Sequence, residues 1–145
     1  MSLDLDILTV RIPPQDNPEC EFFWQSGADG KLRFKCCQDC GYFSHPPTPR
    51  CPKCLSAKME PTAVSGKGTV LSFTVNVQQW VPGQAPYMIA LVTIDEQPDL
   101  RLTALLVGVD LDSAPGDVIG SRVETRFLAR DGIYYPTFVP EGSPA

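Results

Sequence analysis

The chain has 145 residues and a formal charge of −5, with 43% of its residues hydrophobic and 20% charged. This composition excludes an intrinsically disordered protein and suits one packed core or two small modules. No run of about 18 apolar residues is present, which excludes a spanning helix. Because Asp4 and Asp6 stand where a signal peptide carries basic residues, we expect a cytoplasmic protein whose thiols stay reduced.

Residues 1–30 are predicted to form an N-terminal arm followed by one short helix. The helix is expected over 18–26, with Asn17 as its N-cap and Pro18 in the first helical position. Phe22 and Phe23 should lie on the side of this helix that faces the protein. A glycine-rich stretch then ends the helix before an alternating, strand-like segment begins.

Residues 31–61 contain two Cys-x-x-Cys pairs, Cys37 with Cys40 and Cys51 with Cys54, separated by ten residues. Two-residue spacers form tight turns whose sulfurs converge, and two such turns complete a tetrahedron with bonds of about 2.3 Å. In a reducing compartment this spacing predicts structural Zn²⁺, with iron or an oxidised dithiol as alternatives. Four protein ligands leave no coordination position for water, so the metal is expected to support folding rather than catalysis.

Residues near the two pairs are predicted to have local structural roles. Gly41 supplies the permissive backbone that the first turn needs, whereas Leu55 occupies the equivalent position of the second turn and suits it less well. Cys36 should pack in a strand, and Cys20 should be inert in the helix. His45, which lies in the loop between the pairs, is expected to face solvent.

Residues 62–145 are predicted to form a β-barrel with a short tail. Leu71, Phe73, Val75 and Val77 alternate with polar residues, so they are expected to share one face of a strand. Five short strands with turn residues between them suit an antiparallel barrel, of which the OB-fold is the five-stranded example. The predicted strands are 71–77, 87–94, 100–107, 122–128 and 133–139.

Two loops of the barrel allow more than one interpretation. Gly66 and Gly68 flank Lys67 before the first strand, where backbone amides could approach a phosphate, although a turn or bulge is more typical. The loop from Trp80 to Tyr87 carries two large aromatic residues. It either contacts a partner or folds over the mouth of the barrel.

The sequence offers little support for catalysis by this chain alone. It contains no nucleophile elbow, no phosphate-binding P-loop and no dinucleotide-binding glycine motif. Asp95 and Glu96 lie at a strand end, where acidic residues are usually solvated. Residues 31–60 carry six Lys or Arg against two acids, a basic segment that either meets an anion or offsets the −2 charge of a four-thiolate zinc centre.

Six motifs occur in an order that resembles the acyl-CoA-associated zinc-ribbon/OB-fold family, long catalogued as a domain of unknown function. The resemblance covers about residues 17–140 of the chain. The motifs are Phe22-Phe23-Trp24, Gly30-Lys31-Leu32, the two cysteine pairs, Ser65-Gly66-Lys67-Gly68-Thr69-Val70, Pro86-Tyr87 and Pro136-Thr137-Phe138-Val139-Pro140.

The resemblance implies a mainly β protein, in which an N-terminal helix and a rubredoxin-like zinc ribbon precede a five-stranded OB-fold barrel. It also implies a non-catalytic accessory subunit that forms a hetero-oligomer with a thiolase-like enzyme acting on acyl-CoA. The chemistry would be that of a thiolase, an acyltransferase or a retro-aldolase, including steroid side-chain degradation. Such a subunit stabilises its partner and lines part of the CoA or acyl channel, so that acyl-CoA is bound at the interface.

An alternative is a module that binds single-stranded nucleic acid, because zinc ribbons and OB barrels both serve that use. The barrel segment is net acidic, however, and a groove that follows a nucleic acid strand should be basic. This charge makes nucleic acid an unfavoured partner.

Overall fold

A computed structural model describes residue 13 and residues 16–144. The predicted N-terminal arm lies mostly outside the described residues. The predicted helix is confirmed as α1, Pro18–Gln25, in which the Asn17 side chain accepts a hydrogen bond from the Glu19 N–H at 3.0 Å. A 3-10 turn, Ser26–Asp29, follows and ends at Gly30.

Three short strands form the sheet of the zinc ribbon. The central strand β1, Arg33–Cys37, pairs antiparallel with β2, Phe43–Ser44, and with β3, Met59–Ala63. Cys37 therefore ends β1, and the first Cys-x-x-Cys turn follows directly. The rest of the segment between β1 and β3 consists of turns and loop, which leaves the ribbon few apolar residues to bury.

Five longer strands close into a barrel with the order β4-β5-β6-β8-β7. All neighbouring strands are antiparallel except β6 and β8, which are parallel. The mainly β fold with a five-stranded OB-type barrel is thus confirmed. The elements are β4 (Lys67–Asn76), β5 (Tyr87–Ile94), β6 (Arg101–Leu106), α2 (Pro115–Val118), β7 (Arg122–Arg130) and β8 (Ile133–Pro140).

The prediction for the inner face of β4 is partly wrong. A bulge directly after Val70 adds one residue to the strand and shifts its alternation. Val70 is buried and Phe73 and Val75 pack against the core, but Leu71 falls on the bulge and is 43% exposed. Val77 lies past the end of the strand and is 75% exposed.

The glycines before β4 are explained by backbone geometry. Gly66 has a φ of +77°, which favours glycine, and its carbonyl accepts hydrogen bonds from the N–H and hydroxyl of Thr125, each at 2.8 Å. A Cβ on Gly68 would lie 2.4 Å from the Thr93 carbonyl oxygen, so only glycine fits against β5 at this point. The segment is therefore a turn and a close strand contact.

Helix, ribbon and barrel share one hydrophobic core. Phe23 from α1 and Phe34 from β1 pack with inward-facing barrel residues such as Met88, Val92 and Phe138. Because Phe34 and Phe138 are both 0% exposed, the ribbon is anchored to the barrel by apolar contacts as well as by the chain. Within the described part of the chain, no helix is long and apolar enough to cross a membrane.

Candidate metal centre

The two Cys-x-x-Cys segments fold into turns of the same kind. The N–H of Gly41 donates to the Cys37 carbonyl at 2.8 Å, and the N–H of Leu55 donates to the Cys51 carbonyl at 2.9 Å. Gly41 and Leu55 both have positive φ, 77° and 65°. The conformation expected at Gly41 is therefore present in both turns, and Leu55 adopts it although a side chain disfavours it.

The turns bring the four predicted sulfurs together. Cys37 Sγ lies 3.5 Å from Cys54 Sγ, and Cys40 Sγ lies 3.5 Å from Cys51 Sγ. All four sulfurs lie within 4.8 Å of one another. Tetrahedral zinc with bonds of about 2.3 Å requires sulfurs about 3.8 Å apart. Small shifts of the four sulfur atoms would therefore allow each of them to bond to the zinc.

Electrostatics at the site favour a divalent cation. The Cys40 backbone N–H points at the Cys37 sulfur and, with the Asp39 N–H, lowers the pKa of Cys37 to about 6. The Tyr42 N–H favours the Cys40 thiolate, yet the pKa of Cys40 is raised to about 12 because burial and neighbouring sulfurs favour its thiol. Four thiolates this close repel one another, so full ionisation needs a metal among them.

Comparison with known proteins identifies the two modules. Residues 24–60 match the family model for the rubredoxin-like zinc ribbon domain of ChsH2, and residues 61–128 match the model for its C-terminal OB-fold domain. In the solved structure of the Ltp2-ChsH2(DUF35) aldolase, one chain superposes with a TM-score of 0.77 at 30% identity. That alignment covers 88% of this chain and 98% of that one. The chain belongs to the DUF35 family.

Two relatives add context to this family assignment. A probable enoyl-CoA hydratase alpha subunit of Thermomonospora curvata is 31% identical over 133 residues, which cover 90% of this DUF35 chain but 40% of the relative. The chain thus spans less than half of that protein. The benzoylsuccinyl-CoA thiolase subunit BbsA of Thauera aromatica is 28% identical over 83% of this chain and 87% of its own length.

The other two cysteines lie apart from the four-sulfur cluster of this DUF35 chain. Cys36 is buried in β1, as predicted, and its thiol lies 3.5 Å from the Gly41 carbonyl oxygen. Burial raises the pKa of Cys36, which keeps it a thiol. Cys20 lies on α1, outside the cluster.

His45 does not face solvent as predicted. Its ring lies 5.1 Å from the ring of Phe23 and 5.0 Å from that of Phe34, centroid to centroid. Its buried Nδ1 makes no hydrogen bond with a described residue, and burial lowers the pKa of the imidazole. The helix and β1 create this aromatic pocket, and a proline-rich loop gives no sequence signal for it.

The predicted basic segment is largely neutralised within the chain. Arg33, Lys35 and Lys58 form ion pairs with nearby carboxylates. Arg50 donates to the Leu55 carbonyl at 3.0 Å, and the Lys53 ammonium lies over the Tyr42 ring. Most of these charges therefore support the fold of the ribbon.

The sequence analysis did not identify the polar contact between ribbon and barrel. In the turn between β5 and β6, the Gln97 side chain accepts from the Phe43 N–H and donates to the Phe43 carbonyl, both at 2.9 Å. The Tyr42 hydroxyl donates to an Asp99 oxygen at 2.7 Å in the same turn. We call Gln97, Asp99, Tyr42 and Phe43 the ribbon latch.

Proposed function

We propose that this DUF35 chain is a non-catalytic accessory subunit of a thiolase-like enzyme that acts on acyl-CoA. The observation that carries the proposal is the match along nearly the full length of a chain in the Ltp2-ChsH2(DUF35) aldolase. The similarity to a benzoylsuccinyl-CoA thiolase subunit points to the same class of assembly. Carbon–carbon bond cleavage by a thiolase or a retro-aldolase is the common chemistry, and we propose steroid side-chain cleavage as the specific case.

Cys37, Cys40, Cys51 and Cys54 are proposed to hold a structural Zn²⁺. The donor set and the sulfur spacing fit a closed tetrahedral site, which would leave no position for a reacting water. Around the cysteines, the local apolar cluster consists of little more than Cys37, Cys51 and Met59, with Tyr42 packed against it. So small a cluster needs a metal to fold, which gives the zinc its function.

The partner is proposed to supply the nucleophile and the base of the reaction. The single histidine of the chain is half-buried and packs against Phe23 and Phe34, where burial lowers the pKa of the imidazole. The best-placed thiols are proposed zinc ligands, which would not be free nucleophiles. These features support a role in binding and stabilising the partner enzyme rather than in turning over the substrate.

An apolar cleft is the proposed contribution of this chain to the acyl channel. It has a volume of about 210 Å³ and lies between α1 and the neighbouring strands β6 and β8. Phe23, Trp24 and Tyr135 line it, and the Thr137 hydroxyl beside it has no hydrogen-bond partner among the described residues. We propose that an acyl-CoA bound at the partner interface places part of its acyl group here.

Nucleic acid binding is the second candidate, and the loop between β4 and β5 counts against it. OB-folds use this loop to bind oligonucleotides. Here it carries no Lys or Arg between Asn76 and Tyr87, so it lacks the charges that neutralise phosphates. Gel shifts with single-stranded DNA and RNA over a range of salt concentrations test this function directly.

Co-expression with thiolase-like proteins from the same genome tests the accessory role. We expect one of them to co-purify in a stable hetero-oligomer, with about one zinc per DUF35 chain. Acyl-CoA cleavage should require both subunits. The proposal is wrong if the thiolase-like enzyme is equally stable and active alone, or if the isolated DUF35 chain turns over acyl-CoA.

A further inference from the structure

The hairpin formed by β4 and β5 has an uncharged surface. No Asp, Glu, Lys or Arg occurs from Gly68 to Ile94, although 20% of the chain is charged. Several side chains in this stretch are exposed, including Ser72 and Thr74 on β4 and Val77 in the loop. Depletion of charge combined with exposed apolar residues is typical of the core of a protein–protein interface.

Among the described residues, one edge of β4 is open beyond the bulge. β4 pairs with β5 as far as Asn76, but its ladder with β7 covers only Lys67–Thr69. The N–H of Val70 still bonds to the Ser121 carbonyl at 3.0 Å, and after that point no described strand lies on this side. An unpaired strand edge is a template for pairing with another chain, and natural proteins usually protect such edges with charges. This edge has none.

The direction of the backbone groups follows from strand alternation. The Ile94 N–H donates to the Leu100 carbonyl next to β6. The backbone N–H and C=O groups of even-numbered β5 residues therefore point towards β6, and those of odd-numbered β5 residues point towards β4. Beyond the bulge, the odd-numbered residues of β5 oppose the even-numbered residues of β4. The backbone N–H and C=O groups of Phe73 and Val75 therefore point outwards at the open edge.

An exposed indole is held in place next to this edge. Trp80 is 68% exposed, so its indole is not buried against the barrel. Its Nε1 donates to the Asn76 side-chain oxygen at 3.2 Å, and the Asn76 amide donates to the Gln78 carbonyl at 2.8 Å. These bonds fix the ring without burying it. A preorganised, exposed tryptophan suits a binding anchor, because little side-chain entropy is lost when a partner covers it.

We propose that the open edge of β4 and the Trp80 loop form the surface that docks the thiolase-like partner. An extended, uncharged segment of the partner adds to β4 through the outward groups of Phe73 and Val75. An apolar pocket of the partner receives Trp80. The lack of charge on the hairpin selects this occupant over a nucleic acid or a charged protein face. This inference rests on the function proposed above.

Matched lysine variants test the strand edge. Thr74→Lys places a charge on an exposed position of β4, whereas Ala129→Lys places the same charge on an exposed position of β7, in the part of that strand that does not pair with β4. We expect Thr74→Lys to weaken binding of the co-purifying thiolase-like enzyme at least tenfold in calorimetric titration, and Ala129→Lys to change it less than twofold. Zinc content and thermal midpoint serve as folding controls for both variants.

Alanine variants test the anchor. Trp80→Ala should weaken the complex by about 30-fold, as expected for an interface hot spot. The control is Leu55→Ala, since Leu55 is 70% exposed at the second metal-binding turn but lies on the ribbon. Loss of affinity in Leu55→Ala with none in Trp80→Ala would move the interface to the ribbon and overturn the assignment.

The outcomes separate this inference from the proposed function. If the wild-type complex forms and neither Thr74→Lys nor Trp80→Ala weakens it, the surface is wrong and the accessory function stands. If no thiolase-like protein binds the wild type, both proposals are wrong. If the isolated wild type is a dimer that Thr74→Lys converts to a monomer, the edge binds a second copy and the assigned partner is wrong.

Discussion

Replacing Gln97 by methionine tests how the zinc ribbon is attached to the barrel. The Gln97 amide pairs with both backbone groups of Phe43 at 2.9 Å, as a neighbouring strand would. Methionine has a similar length and fills the same space, but it offers neither the donor nor the acceptor. The substitution therefore removes two hydrogen bonds of the ribbon latch with little change in packing.

The expected loss of stability follows from these two bonds. A hydrogen bond contributes about 1 kcal/mol net to folding, so Gln97→Met should lower the free energy of unfolding by about 2 kcal/mol. Both partner groups are half-buried, so water can replace part of the loss and the larger cost of a fully buried orphan is not expected. For a chain of this size, about 2 kcal/mol corresponds to a fall of roughly 4–8 °C in the thermal midpoint.

The rate of zinc transfer to a chelator measures local opening of the ribbon separately from unfolding of the whole protein. If the latch limits local opening of the ribbon, a loss of about 2 kcal/mol makes the open form about 30-fold more populated. The rate of transfer to an excess of chelator should rise by the same factor. Gln97→Glu keeps the acceptor for the Phe43 N–H but sets a carboxylate against the Phe43 carbonyl, so it should also speed transfer.

Gln78→Met is the matched control, because Gln78 is exposed in the loop after β4, away from the ribbon. It should leave the thermal midpoint and the rate of zinc transfer unchanged. Equal stability and equal transfer rates in Gln97→Met and Gln78→Met would refute the latch. The shared core around Phe34 and the metal would then be sufficient to hold the ribbon.

Three further predictions concern the core, the histidine and the metal. Gly68→Ala should destabilise the barrel by about 1–3 kcal/mol in denaturant unfolding, because the added Cβ would meet the Thr93 carbonyl. Gly116→Ala is the control and should leave the free energy of unfolding unchanged, because open space surrounds Gly116. Burial lowers the pKa of His45 in the folded state, so protonation favours unfolding, and the free energy of unfolding should fall as pH drops below about 6.5. His45→Phe should make the free energy of unfolding less dependent on pH than it is in the wild type, with both proteins measured at the same zinc content. Cys51→Ser should lose the zinc, and hydrogen exchange should then show unprotected ribbon amides and a protected β5; retention of a full complement of zinc would contradict the ligand assignment.

Local patterns in the sequence predicted the elements that local physics controls. The Asn17-Pro18 pair specifies the start of α1, because a side-chain acceptor and a fixed φ act within one turn of helix. The cysteine spacing predicted the four-sulfur cluster, because two intervening residues can close only a tight turn. Alternation and apolar runs located the five barrel strands, whose ends differ from the prediction by a few residues.

Other features depend on contacts between distant parts of the chain. The bulge after Val70 turns Leu71 outwards, a change that an alternating pattern cannot reveal because one extra residue reverses every later side chain. His45 is half-buried because α1 and β1 bring Phe23 and Phe34 together and the imidazole packs against both rings.

The chain by itself therefore determined the helix start, the two Cys-x-x-Cys turns and the number of barrel strands, since each arises from residues close in sequence. The tertiary structure alone decided which polar groups meet and which edges stay open. Gln97 and Phe43 are 54 residues apart, and their pairing follows only after the barrel and the ribbon have packed. The open edge of β4 likewise exists because β7 diverges from it beyond Thr69, a relation between strands that no single segment encodes.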